Sequence, residues 1–122
     1  MHELQMSQVV VDSVLAELEA LGPSPRRLIR TRVVVGYLRP LVPETLQEAY
    51  RILTEGTPAA NSVLEVRKAP FVCRCQRCQA TTPVEGFSFA CSACGSASGV
   101  VVGGREFYLE SLEVEEDEPK GN

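Results

Sequence analysis

The chain has 122 residues, 44% of them hydrophobic, with 12 basic against 16 acidic side chains and a formal net charge of −4. That length suits one compact domain with a small appended module, and that apolar fraction is too high for general disorder. The acidic balance argues against nucleic acid as the main partner, and the lack of any apolar run of about 18 residues excludes a transmembrane helix. The N-terminus shows no charged and apolar leader of a secretory signal, so a cytoplasmic protein is the simplest reading.

From Leu4 to Leu21 apolar residues recur at helical spacing: Met6, Val10, Val14, Leu18 and Leu21, with Val9, Val11 and Leu15 widening the stripe. The pattern predicts an amphipathic helix, ended by Gly22-Pro23. Residues 28–36 then alternate, with Ile29, Thr31, Val33 and Val35 on one face and Arg30 and Arg32 on the other, which predicts a strand with one wet side. Pro43 is well placed as the first residue of a second helix, where its missing N–H costs nothing. Leu46, Ala49, Tyr50 and Leu53 form that helix's buried face, and Gly56-Thr57-Pro58 closes it. A second strand at 63–69 turns Leu64 and Val66 inward and stops at Pro70. After Gly103-Gly104 a last strand runs from about Arg105 to Val114, and its apolar parity shifts near Ser111, predicting a bulge or twist. An acidic stretch follows from Glu115. The order predicts an α+β fold: two helices packed on a small mixed three-stranded sheet, with an inserted zinc-ribbon-like module. On this reading residues 1–70 and 99–122 form the helix-bearing domain and residues 71–98 the module.

All five cysteines lie between residues 73 and 94. The motif is Cys75-x2-Cys78, then Cys91-x2-Cys94-Gly95, and doubled CxxC spacing is a specific signal for four thiolates converging on one ion. Four such ligands suit Zn(2+) in a structural role, and a saturated shell leaves no place for water or substrate. Iron also accepts four thiolates, and spacing does not separate the two. Phe87 and Phe89 are expected to cover the site. Cys73 is the spare: parity is taken to point it away from Cys75, leaving a free thiol near the module's hinge, with a role as alternative ligand the weaker reading.

His2 is the only histidine. A chain end is usually a solvated terminus without a role. This one nevertheless gathers an α-amine, an imidazole, the backbone nitrogens of His2 and Glu3, and the Glu3 carboxylate. Ni(II) and Cu(II) favour such square-planar, nitrogen-rich sets.

The opening Met1-His2-Glu3-Leu4 on an amphipathic helix resembles the HypA family of hydrogenase nickel-incorporation proteins. The likeness continues through Val33-Val34-Val35-Gly36, Pro43-Glu44-Thr45-Leu46, Ala49-Tyr50, the doubled CxxC module and Phe107-Tyr108-Leu109-Glu110-Ser111-Leu112-Glu113. The resemblance implies a nickel metallochaperone, not an enzyme, serving maturation of nickel–iron hydrogenase. Met1, His2 and Glu3 would then bind the transported Ni(2+), and Cys75, Cys78, Cys91 and Cys94 the structural zinc. It further implies a HypB-type GTPase and the hydrogenase large subunit as partners, with urease maturation proteins as partners of some relatives. Many relatives carry acidic residues where this chain has Tyr37 and Val42, and smaller residues where it has Asn61-Ser62.

The alternative is a zinc-ribbon interaction module for a protein or nucleic-acid surface, supported by Arg67, Lys68, Arg74 and Arg77 around the first CxxC pair. Overall acidity and the lack of stacking aromatics there favour a solvated face instead. An enzyme is the least supported reading, since the chain has no second histidine and no Gly-rich phosphate loop.

Overall fold

A computed structural model describes residues 2–22, 26–84 and 89–116, with the backbone alone for His2, Glu3 and Glu116. The elements run α1 (His2–Ala20), β1 (Arg26–Gly36), α2 (Pro43–Leu53), β2 (Val63–Ala69), β3 (Val72–Cys75), β4 (Thr81–Pro83), β5 (Gly99–Gly103) and β6 (Phe107–Glu116). The fold is α+β, with two helices, a three-stranded sheet ordered β2-β1-β6 and a second sheet ordered β4-β3-β5. The chain divides into two compact units: residues 1–33, 41–67 and 108–122, and residues 34–40 and 68–107. Among the described residues no helix is long and apolar enough to cross a membrane.

In the first unit α1 packs on α2, and its Ser7, Val10, Val11 and Val14 form an i, i+3, i+4, i+7 stripe that is buried throughout. Buried Ser7 donates to the Leu46 carbonyl at 3.2 Å, joining the two helices. Two members of the expected apolar stripe do not belong to it: Val9 is 55% exposed and Leu21 51%. The reason is angular. Val9 sits about 200° around the helix from Ser7, outside the contact arc that the smaller serine enters.

α2 begins at Pro43 as predicted, after Val42 with no side-chain cap, and buries Leu46 and Tyr50. Its end is closed by Thr54, whose N–H and hydroxyl both donate to the Tyr50 carbonyl at 3.0 and 2.8 Å. The helix meets the sheet through hydrogen bonds as well as apolar contact. Ser62 Oγ donates to the Ala59 carbonyl at 2.6 Å, so the Tyr50 hydroxyl donates to Ser62 Oγ at 2.6 Å. Thr31 Oγ1 in turn donates to the Tyr50 hydroxyl at 3.0 Å. The Asn61-Ser62 pair therefore has a local use: Asn61 takes the left-handed turn (φ 67°) and Ser62 anchors the buried tyrosine.

Along β1 the alternation holds for Thr31 and Val33, both buried. It fails at the strand's start, where Leu28 is buried and Ile29, expected inward, is half-buried. The wet face is a ladder of ion pairs. Arg30 reaches Glu65 at 3.2 Å and Glu113 at 2.6 Å, Arg32 reaches Glu65 at 3.2 Å, and Arg67 reaches Glu110 at 2.7 Å. Such exposed pairs contribute at most about 1 kcal/mol each. They also show direction: Arg27 with Glu115 and Arg30 with Glu113 set β6 against β1. Arg32 with Glu65, then Tyr37 N–H to the Ala69 carbonyl at 2.8 Å, set β2 along β1, so the sheet is mixed. In β6 the half-buried residues are Phe107, Leu109 and Ser111, then Leu112 and Val114, so the period of two slips by one where the sequence predicted it.

In the second unit β3 pairs antiparallel with both β4 and β5, with a register irregularity between Val72 and Cys73. Residues 36–38 run against 104–106: Gly36 N–H donates to the Glu106 carbonyl at 2.6 Å and Leu38 N–H to the Gly104 carbonyl at 2.8 Å. A Cβ on Gly36 would stand 2.1 Å from the Gly104 carbonyl oxygen, so only glycine permits this approach.

Candidate metal centre

Two loops with one backbone design bring four sulfurs together. In the first, Gln79 N–H returns to the Cys75 carbonyl at 3.0 Å and Cys75 N–H reaches the Ala80 carbonyl at 2.8 Å. In the second, Gly95 N–H returns to the Cys91 carbonyl at 2.8 Å and Cys91 N–H reaches the Ser96 carbonyl at 2.9 Å. Each loop turns on a left-handed residue just after its second cysteine, Gln79 at φ 68° and Gly95 at φ 78°. Short strands hold the loops in place. The first leaves the end of β3, Gln76 N–H donates to the Ser98 carbonyl at 2.9 Å ahead of β5, and the Thr82 and Ser92 hydroxyls meet at 3.2 Å.

The sulfurs of Cys75 and Cys94 lie 3.6 Å apart, those of Cys78 and Cys91 3.5 Å, and all four fall within 4.8 Å of one another. A disulfide would need about 2.05 Å. A tetrahedron with metal–sulfur bonds of about 2.3 Å has edges of about 3.8 Å, so the set fits one tetrahedral cation. Among the described residues no other group of three or more His, Cys, Asp and Glu comes together in this way.

Electrostatics divide the four thiols. The Cys78 and Arg77 N–H groups point at the Cys75 sulfur, at 3.5 and 3.4 Å, and against burial they pull its pKa down to about 6. Cys91 is lowered in the same way by the N–H groups of Cys94 and Ala93. At Cys94 the Ser96 N–H acts in that direction too, but burial and the neighbouring thiols outweigh it and push the pKa up to about 12. At Cys78 the Ala80 N–H is likewise outweighed, by the Cys91 thiol and burial, and the pKa is raised. In each loop the first cysteine is thus the more acidic of the pair, and the second, held above its ordinary value, must release its proton to a cation.

Cys73 is buried but is not part of the four-sulfur set. The expectation that it points away from Cys75 was wrong in its geometry: residues two apart in a strand share a face, and in β3 Cys73 and Cys75 are both buried while Arg74 is exposed. Phe89 lies against Gly99, where a Cβ would stand 2.7 Å from its ring, and Phe87 falls outside the described residues. The left-handed turn residues were missing from the sequence reading, although Gly95 directly after Cys94 was their visible sign.

At the other candidate site Met1 lies outside the described residues, as do the side chains of His2 and Glu3. The backbone is described from His2, which opens α1. The basic residues near the first CxxC pair are partly engaged: Arg67 binds Glu110 at 2.7 Å and Lys68 stands 6.0 Å over the Tyr37 ring, while Arg74 and Arg77 are exposed.

The family described as hydrogenase/urease nickel incorporation, metallochaperone, hypA matches residues 1–114. The chain is 35% identical over 120 residues to the hydrogenase maturation factor HypA of Lawsonia intracellularis, covering 94% of this chain and all of that one. It is also 35% identical over 119 residues to the factor of the same name from Solidesulfovibrio magneticus, again covering 94% of this chain and all of the relative. The solution structure of the Ni metallochaperone HypA from Helicobacter pylori superposes with a TM-score of 0.58 at 19% identity, covering 91% of this chain and 97% of that one.

Proposed function

The chain belongs to the HypA family of metallochaperones for nickel incorporation into hydrogenase and urease, and on that premise we propose that it carries Ni(II) at its N-terminus and delivers it to the nickel–iron hydrogenase large subunit. In this reading Met1, His2 and Glu3 hold the cargo. Cys75, Cys78, Cys91 and Cys94 hold a structural Zn(2+), and a HypB-type GTPase assists the transfer in the cytoplasm.

The division of labour rests on one contrast. Four matched thiolates form a closed shell, suited to a metal that stays. A cargo metal needs ligands that can be surrendered, and α1 supplies a place for them because it starts at His2. The first N–H groups of a helix have no acceptor within it, so the amides of His2 and Glu3 can lose protons to a metal without breaking the helix. The partial positive charge of that end also favours the neutral imidazole and the deprotonated amides, at the cost of some repulsion of the cation. Ligands that must lose protons bind less well as pH falls, which gives acid a means of release.

Transfer tests the proposal directly. Nickel-loaded protein is mixed with the apo large subunit and a HypB-type GTPase, and nickel arriving in the large subunit is measured against an equal amount of free nickel. Faster arrival from the loaded protein is expected. Arrival no faster than from free nickel contradicts the delivery role.

A further inference from the structure

We propose that the open edge of β6, with the groove beside α1, takes an extended basic segment of a partner protein as a fourth strand of the sheet. β6 lies at one edge of the β2-β1-β6 sheet, and among the described residues no strand pairs with its outer side. A row of unpaired backbone groups of this kind is a template for another chain. Such edges are commonly blunted by proline, lysine, a bulge or very short length; the ten residues of β6 hold no proline or lysine, and their one irregularity is the slip at Ser111 and Leu112.

Beside the edge runs a groove of roughly 610 Å³, walled by Ser13 and Glu17 of α1, by Leu21 in the turn just after it, and by Leu109, Glu110 and Leu112 of β6. Glu110 belongs to the wet face and Leu109 to the inner one, so a cavity touching both opens along the strand's edge rather than over one face. Its apolar lining is incompletely covered. Leu109, Leu112 and Val114 are only half-buried and Leu21 is half exposed, whereas Leu28, Thr31 and Val33 of the neighbouring β1 are buried. A helix beside a free edge strand is the arrangement in which an extended peptide gains main-chain hydrogen bonds from the strand and side-chain pockets from the helix.

Charge selects the occupant. Every charged residue of β6 is acidic, and the last turn of α1 holds no basic residue. Glu110, Glu113 and Glu115 are matched across the sheet by Arg67, Arg30 and Arg27, so the selecting charge is Glu17 on the rim, with which no cation pairs among the described residues. A second copy of this chain is a poor occupant: two β6 edges paired antiparallel about Ser111 and Leu112 would set Glu110 opposite Glu113 of the other copy, and like charges directly opposite are unfavourable. A strand with alternating apolar side chains and Lys or Arg fits both walls. The groove lies wholly in the unit that carries α1, and its use does not depend on which ion either metal site holds.

The probe is a capped peptide as long as β6, alternating Val and Lys, added to metal-loaded full-length protein. Three observations together support the proposal: hydrogen-exchange protection appears on Leu109–Val114 amides, a central Val→Pro version of the peptide fails to protect them, and a control peptide of the same length alternating Val and Glu binds no more than weakly. Glu17→Lys, an exposed change that leaves the core alone, should weaken the Val/Lys peptide by about fivefold at low salt and by less at about 0.5 M salt. Leu21→Lys provides a second variant that tests the apolar wall. Protection on any other element, equal binding of the proline peptide, or indifference to both variants overturns the proposal. Concentration-dependent dimerisation that protects the same amides without peptide overturns it too, in favour of a second copy.

Discussion

The paired CxxC loops carry an internal control, because the same backbone turn is made once by Gln79 and once by Gly95. A left-handed conformation costs a residue with a Cβ about 1–2 kcal/mol and costs glycine almost nothing. Gly95→Ala should therefore destabilise the loaded loop through backbone strain alone, since a Cβ there would meet nothing within 4 Å, by about 0.5–1 kcal/mol net of the freedom that glycine gives the unfolded chain. Where metal binding and local folding are one equilibrium, that loss lowers apparent metal affinity by about 2- to 5-fold. Gln79→Gly should do the reverse, by about 0.5–1 kcal/mol once the extra freedom of glycine in the unfolded chain is subtracted. The side chain it removes makes only a long 3.4 Å exposed bond to the Gln76 carbonyl. The assay is competition for zinc against a chromophoric chelator, with Gly95→Asn as the control because asparagine tolerates the left-handed region. Equal affinity of wild type and Gly95→Ala would refute the reasoning. So would an asparagine variant as weak as the alanine one.

Gly36→Ala should prevent normal folding, because the new Cβ would meet backbone, the Gly104 carbonyl 2.1 Å away, and not a movable side chain; a cooperative thermal transition like that of wild type would contradict this. Tyr50→Phe leaves buried Thr31 Oγ1 without its acceptor and should cost about 1–3 kcal/mol in denaturant unfolding, with metal content unchanged. The Arg67 guanidinium, bonded to Glu110, holds that carboxyl below its ordinary value. A depressed folded pKa means a contribution present above the unfolded carboxylate pKa of about 4.3 and lost as pH falls through the folded value. The stability gap between wild type and Glu110→Gln should thus close in acid, and a gap that widens there would reverse the sign.

Much of this fold could be read before any coordinates because it rests on local punctuation. Pro43 starts α2 where a missing N–H is harmless, and the slip in β6 follows apolar residues that change parity at Ser111 and Leu112. What stayed hidden was decided by distant partners. Val9 looks like a core residue until the position of α2 makes Ser7 the contact, through the Leu46 carbonyl. The strands β3, β4 and β5 have only 4, 3 and 5 residues, too few for a periodic signal, and their order depends on the two cysteine loops they join. The four-sulfur set was legible because CxxC spacing encodes its geometry, and the role of Gly36 was not, because its reason is a backbone segment nearly 70 residues away. Nickel at Met1, His2 and Glu3 was suggested by donor chemistry and by family likeness, and it is the part of the account that a metal titration can decide.

That titration is nickel calorimetry on untagged, zinc-loaded protein, comparing wild type with His2→Ala while zinc content is followed. The account predicts one nickel per chain for wild type, none at comparable affinity for the variant, and the same zinc in both. Nickel binding that survives His2→Ala, or that displaces zinc, would contradict separate cargo and structural sites.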